Sequence, residues 1–188
     1  MENIEIKTPL EDRAAAERRL RALGAREMGA IGQRDTFFDV PRGWLKLREQ
    51  EGRPPELIAY LRSTQDAGPR PSQYDVRILD DAPSWKRLLG RVLQVDGVVE
   101  KTRTLWIHGH TRIHLDRVAG LGEFLELETM VEGITLQEAQ AEAGRLVEAL
   151  GLDRGAFLSR PYRDLLRERA WPTSPFPMHP GGVGKDPE

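Results

Sequence analysis

The acidic residues Glu5, Asp116, Glu126 and Glu128 and the basic residues Lys7, Lys46, Arg48, Arg62, Lys101, Arg103 and Arg112 sit at alternate positions of short apolar segments. Strand side chains alternate between two faces, so each segment places its charges on one side and its apolar residues on the other. Clustered carboxylates are hard oxygen ligands suited to Mg²⁺ or Mn²⁺. Glu126 and Glu128, two apart and so about 6 to 7 Å apart at Cα, can converge on one ion or flank two. Guanidinium groups grip phosphate oxygens with paired donors, and lysines add point charge. The competing reading is a solvated sheet face whose cations bridge to its acids. The excess of cations over acids on the proposed lining favours a polyphosphate. His114 shares parity with Arg112 and Asp116 and so joins that lining. His108 and His110 flank Gly109 in an expected turn and read as polar turn residues in preference to zinc ligands.

The elements that must position these groups are legible in the pattern. A strand over Asn3–Lys7 is followed by an amphipathic helix from Pro9 to Leu23, with Leu10, Ala14, Leu20 and Leu23 as its stripe and Gly24 ending it. Strands are expected over Asp35–Val40, Trp44–Glu49, Leu57–Arg62 and Tyr74–Leu79, with hairpin loops at Pro41–Gly43 and Gln50–Pro55 and a loop over Thr64–Ser72. Asp81-Ala82-Pro83 opens a short helix to Leu89. Strands then follow over Val98–Ile107, Arg112–Val118 and Glu123–Val131. A capping box at Thr135–Glu138 starts a helix ending near Leu150-Gly151, and a last helix covers Tyr162–Glu168.

Most of these linkers have hairpin length, which excludes a parallel sheet built of crossovers. The pattern predicts an α+β fold, an antiparallel β-barrel of about eight strands with helices packed outside. Ile4, Ile6, Leu45, Leu47, Ile113, Leu115, Leu125 and Leu127 then face the helices and the charges line the interior. Such a lining requires water and ligand, since burying it dry is prohibitive.

The chain has 188 residues, a net charge of −2 and no cysteine. Residues 1–169 read as one domain and 170–188 as a Pro/Gly-rich flexible tail. The near-neutral charge gives no global pull toward nucleic acid or an anionic membrane. With no membrane-length apolar run, a polar start and no cysteine, a cytoplasmic protein is expected. Gly120-Leu121-Gly122 lacks the Lys-Ser or Lys-Thr of a phosphate loop, and there is no nucleophile elbow for acyl chemistry.

Asn3-Ile4-Glu5-Ile6-Lys7 resembles the Glu-x-Glu-x-Lys signature of the CYTH, or triphosphate tunnel metalloenzyme, superfamily. The similarity continues through Gln33–Phe38, Leu45–Arg48 and Glu100–Arg103. The stretch from Asp116 through Gly120–Glu128, with the closing Tyr162–Leu166, looks most like the class IV adenylyl cyclase branch. The resemblance implies an eight-stranded tunnel in which Lys7, Lys46, Arg48, Arg62, Lys101, Arg103 and Arg112 hold a triphosphate. It implies that Glu5, Glu126 and Glu128, with Asp116 nearby, hold Mg²⁺ or Mn²⁺, and that Lys7, Arg48, Arg112 and His114 act in catalysis. One departure stands out. Asn3 occupies the first signature Glu position, keeping an oxygen ligand but removing a charge.

The activity expected first is conversion of ATP to cyclic AMP and pyrophosphate. The alternatives are hydrolysis of tripolyphosphate, thiamine triphosphate or a nucleoside triphosphate, and a polyphosphate-binding module without turnover, which Asn3 motivates. A polar barrel that binds a partner protein is the remaining rival. Relatives in that superfamily often pair, so a homodimer is an open alternative, although no apolar seam can be read for it.

Overall fold

The computed structural model describes the backbone of residues 2–62 and 70–170, and their side chains except at 61, 62, 70–73 and 170. Its strands are β1 (Glu2–Pro9), β2 (Arg26–Phe38), β3 (Trp44–Gln50), β4 (Arg53–Arg62), β5 (Arg70–Ile78), β6 (Val95–His108), β7 (Thr111–Val118) and β8 (Gly122–Met130). Its helices are α1 (Arg13–Ala22), α2 (Ala82–Gly90), α3 (Leu136–Leu150) and α4 (Tyr162–Ala170), with a 3₁₀ turn at Arg154–Ala156. As expected, the strands form a closed antiparallel barrel; their order is β1-β5-β4-β3-β2-β6-β7-β8. Pairing of β1 with both β5 and β8 closes the ring.

The strand alternation decides what each face meets. Ile4, Ile6, Ile113, Leu115, Leu125 and Leu127 point outward into a core completed by Ala16 and Leu20 of α1 and by Ala139, Ala143, Leu146, Val147 and Leu150 of α3. On another side, Phe38, Leu47 and Leu79 pack with Leu45, Leu57 and Trp85 beneath α2. A third cluster contains Phe37, Val99, Val118, Phe124 and Tyr162, backed by Leu165 and Leu166 of α4. Its strand residues share registers with Lys46, Asp35, Lys101 and Asp116, so they face inward and α4 caps one mouth of the barrel.

Several boundaries differ from the sequence pattern for physical reasons. α1 starts at Arg13 and not Pro9, because β1 runs through Pro9 and the Asp12 side chain accepts a hydrogen bond from the Ala15 amide at 2.8 Å. That start turns Ala16 inward in place of Ala14, which is exposed. β2 runs over Arg26–Phe38 and so begins well before the expected start at Asp35. Its exposed first half carries no apolar alternation and is held by pairing with the end of β6 across a bulge between Glu27 and Gly29. β4 takes in Pro54 and Pro55, expected in a loop, because the β3–β4 register shifts there and a bulge needs no proline donor. Of the loop expected over 64–72, positions 70–72 belong to β5 and the rest lies outside the described residues, as does the tail at 171–188. No helix among the described residues is long and apolar enough to cross a membrane.

Candidate functional site

Residues opposed across antiparallel strands share a face, so register turns one-dimensional parity into rows on the barrel wall. One row joins Glu5, Glu128 and Arg112; the next joins Lys7, Glu126 and His114. Asp116 then pairs with Arg103, and Lys101 with Gln33. Further round, Asp35, Arg48 and Glu56 share a row beside Phe37, Lys46 and Ile58. All of these but Asp116, which is buried behind the wall, line a cavity of about 810 Å³ together with Asn3, Arg53, Tyr60, Tyr74 and Tyr162.

Two buried acids organise the cations. Asp116 is fully buried and accepts from Lys101 Nζ at 2.9 Å, from Arg103 Nε at 2.7 Å and Nη2 at 2.6 Å, and from the Tyr162 hydroxyl at 3.1 Å. Asp35 repeats the device. It accepts from Lys46 Nζ at 2.9 Å and from Arg48 Nε at 2.7 Å and Nη2 at 2.8 Å. Asp116, expected beside the metal-binding acids, is thus occupied in anchoring Lys101 and Arg103. Asp35 was absent from the expected site, although it shares strand parity with Gln33 and Phe37. With Glu51 and Glu56 it adds acids to the lining, so the excess of cations expected from the strand pattern shrinks.

The fields at these groups are strong. Burial alone would raise the Asp35 carboxyl, but Arg48 and Lys46 hold it well below the ordinary carboxylate range. Burial acts likewise on Asp116, where Arg103 and Lys101 prevail and the carboxyl is lowered. Burial is again outweighed at Glu126, by Lys7 and Arg103, leaving it well below its usual value. Burial and then the neighbouring Arg48 push the Lys46 ammonium down to about 8. Lys101 is lowered by burial and Arg103. Burial, with Glu126 and Asp116, raises the Tyr162 phenol well above its ordinary value, so it remains a hydroxyl donor.

Tyr162 closes the capped mouth. Its ring carries the Lys7 ammonium at 4.3 Å and that of Lys101 at 5.2 Å, and it meets Phe124 edge-on. Lys7 also reaches the Arg160 carbonyl at 3.5 Å and Glu126 at 3.5 Å. Sequence parity cannot find Tyr162, because a helix remote in the chain delivers it. In a different row, Trp44, Tyr60 and Tyr74 align, with Trp44 and Tyr60 stacked at 5.3 Å between ring centroids.

His114, Glu126 and Glu128 each bring one donor atom within 4.8 Å of the others. His114 Nδ1 lies 3.7 Å from Glu126 Oε2 and 3.7 Å from Glu128 Oε1. Arg103 reaches both carboxylates as well. Asn3 Oδ1 and His114 Nδ1 are buried and make no hydrogen bond. Two carboxylates, an imidazole and an amide oxygen facing one polar cavity form a donor set that fits a divalent cation. Glu5 lines the cavity beside Glu128 in register. Arg62 lies in β4, paired with Ser72, and its side chain is outside the described residues. His108 and His110 stand apart from the cluster; His110 instead bonds Glu142 of α3 through its backbone amide at 2.9 Å.

The model of the family described as CYTH domain matches residues 1–162. Among solved structures, the PH1012 protein of Pyrococcus horikoshii OT3 is 22% identical with a TM-score of 0.76, covering 87% of this chain and 99% of that one. A candidate adenylate cyclase from Vibrio parahaemolyticus is 20% identical with a TM-score of 0.73, covering 88% and 97%. A candidate adenylyl cyclase from Hippeastrum, described as having dominant triphosphatase activity, is 17% identical with a TM-score of 0.59, covering 88% and 95%. At these identities the likeness is one of fold. Comparison with curated proteins gives no match.

Proposed function

The chain belongs to the CYTH domain family, and from that premise we propose that it is a divalent-metal-dependent enzyme acting on a triphosphate inside the barrel, in the cytosol. The observation that carries this reading is the shared wall. Cations pinned by Asp35 and Asp116 adjoin a cluster of His114, Glu126 and Glu128 in one cavity. A chain of phosphates satisfies both halves, its oxygens taking donors from Lys7, Lys46, Arg48, Lys101, Arg103 and Arg112. Glu126 and Glu128, with Glu5, would hold Mg²⁺ or Mn²⁺. A cation bound there would neutralise phosphate oxygens and polarise the bond to the leaving group.

The chain's own residues contribute position and charge. Arg48 and Arg103 each bind an acid through two nitrogens, so their guanidinium planes are fixed before substrate arrives and little ordering is left to be done. Tyr162 closes one mouth and sets how far a phosphate chain can run. The aromatic row of Tyr60, Tyr74 and Trp44 suits a base-bearing substrate. It favours the cyclase reaction, in which the ribose 3′-oxygen attacks the α-phosphorus, the bond to pyrophosphate breaks and the hydroxyl proton is released to water. The capped mouth and the row of anchored cations along the wall favour the second reading, hydrolysis of a linear triphosphate by water.

Incubating pure protein with ATP, tripolyphosphate or thiamine triphosphate and Mg²⁺ or Mn²⁺, then resolving cyclic AMP, pyrophosphate and phosphate, separates these readings. Cyclic AMP supports the cyclase. Orthophosphate without cyclic AMP sinks it in favour of the hydrolase, and tight binding without product leaves a binding module. Glu126→Gln should abolish metal-dependent turnover with the fold retained, and an unchanged rate would refute the cation assignment.

A further inference from the structure

Within the acid cluster the group that hard-cation chemistry does not require is an imidazole. His114 is 4% exposed, and its Nδ1 is aimed between Glu126 and Glu128 without a hydrogen-bond partner. At 3.7 Å from each carboxylate the nitrogen is held by charge and not by a hydrogen bond, so a ligand that takes its lone pair gains free energy there. The two carboxylates flanking it exclude an anion as its natural occupant. Equal separations of 3.7 Å to the two carboxylate oxygens leave room for a cation to draw all three donors inward. At Asn3, meanwhile, the wall carries a neutral amide whose oxygen is also unsatisfied. Relative to an all-carboxylate site, the cavity holds less negative charge and gains a nitrogen donor. Both changes weaken Mg²⁺, which binds oxygen and holds its water tightly, more than they weaken Mn²⁺, which accepts imidazole readily.

We infer that His114 is a metal ligand of this chain, acting through Nδ1 with Glu126 and Glu128, and that it makes the site select Mn²⁺ over Mg²⁺. This rests on the metal-dependent triphosphate reading and adds to it the identity of the ion. Arg103 and Lys7 contact the same acids, so an incoming cation shares Glu126 with them. Asp116 stays outside the ligand set, its oxygens being taken by Lys101, Arg103 and Tyr162.

The probe is Mn²⁺ itself, followed by its electron paramagnetic resonance in the full chain, with and without tripolyphosphate, and by competition with Mg²⁺. Bound Mn²⁺ should show electron spin-echo modulation from a directly coordinated ¹⁴N, and should outcompete Mg²⁺ by about tenfold or more. His114→Phe, which keeps the ring but removes the donor, should abolish the nitrogen modulation and bring the Mn²⁺ to Mg²⁺ ratio down several-fold. His114→Gln, with an oxygen donor, should lose the modulation and keep binding of both ions, which guards against misfolding of the Phe variant. Bound Mn²⁺ without nitrogen modulation, or a ratio unchanged in both variants, overturns the inference and leaves metal dependence standing. Failure of either ion to bind, even with tripolyphosphate present, overturns the metal-dependent reading itself.

Discussion

At the scale of single residues the barrel depends on acids that anchor its buried cations. Asp116 holds two cations whose side chains are 4% and 8% exposed, and itself has none of its side chain in water. Replacing it with Asn leaves Lys101 and Arg103 buried without a counter-charge. The expected loss is about 3–5 kcal/mol of folding stability, measured by urea unfolding. An Asp116→Asn protein as stable as the parent would contradict the pairing. Tyr162 acts through the same acid. Tyr162→Phe keeps the ring under Lys7 and Lys101 but removes the hydroxyl donated to Asp116, so KM for the triphosphate should rise several-fold while kcat changes little. Tyr162→Ala removes both contacts and should raise KM further. Equal kinetics in the two variants would show that the hydroxyl alone matters. Strand parity made most lining residues legible in the sequence, from Glu5 and Lys7 to Glu126 and Glu128. It missed Tyr162, and it did not distinguish Asp116, which anchors two cations, from Glu126, which stands beside His114 and Glu128, because both share inward parity and only packing separates them.

At the scale of elements, helices hold the outer face of the wall whose inner face carries the site. α3 is fastened by a complete capping box in which the Thr135 hydroxyl accepts from the Glu138 amide at 3.2 Å and the Glu138 carboxylate accepts from the Thr135 amide at 2.7 Å. Thr135→Ala should cost about 1 kcal/mol in thermal or urea unfolding. Leu20 of α1 is fully buried in the core behind β1 and β8, and Leu20→Ala should cost about 2–5 kcal/mol. α4 is seated differently. Asp96 of β6 pairs with Arg163 and Arg167, and Gly97 has a φ of 134° with the Arg163 side chain 3.2 Å from where a Cβ would sit. Gly97→Ala is therefore strained twice over, by conformation and by contact, and should loosen α4 over the mouth. Faster amide exchange confined to α4 would report it. The capping box and the alternating strands were legible because their signals are local. The early start of β2 was not, since its exposed half is fixed by partners on β6.

At the scale of the whole molecule, charge is compensated in pairs, and ligand binding must disturb that compensation. Burial and the neighbouring Arg48 lower the Lys46 ammonium to about 8. A bound triphosphate favours its charged form and raises that value. Above about pH 8, binding should therefore take up a proton and affinity should fall as pH rises; below it, Lys46 is charged in both states and contributes no pH dependence. Calorimetric titration of tripolyphosphate at about pH 8.5 in buffers of different ionisation enthalpy measures the uptake, and Lys46→Arg should remove that contribution. At the acid end the sign reverses. Asp35, Asp116 and Glu126 are lowered in the folded state. Their stabilisation is present above roughly pH 4 and is lost as pH falls through the lower native values. Cooperative acid unfolding should accordingly begin below about pH 4, and a transition at higher pH would count against these pairs.

The sequence by itself determined the closed antiparallel barrel, its apolar exterior and its charged lining, because period-two alternation fixes which face each side chain takes and hairpin-length linkers fix antiparallel order. Tertiary structure alone decided which charges neutralise each other. Asp35 meets Lys46 and Arg48 through the β2–β3 register, and Asp116 meets Tyr162 across 46 residues of chain. It also decided that His114, and not Asp116, stands with Glu126 and Glu128. These outcomes depend on distances of a few ångströms between segments far apart in sequence, to which a pattern of alternating polarity is blind.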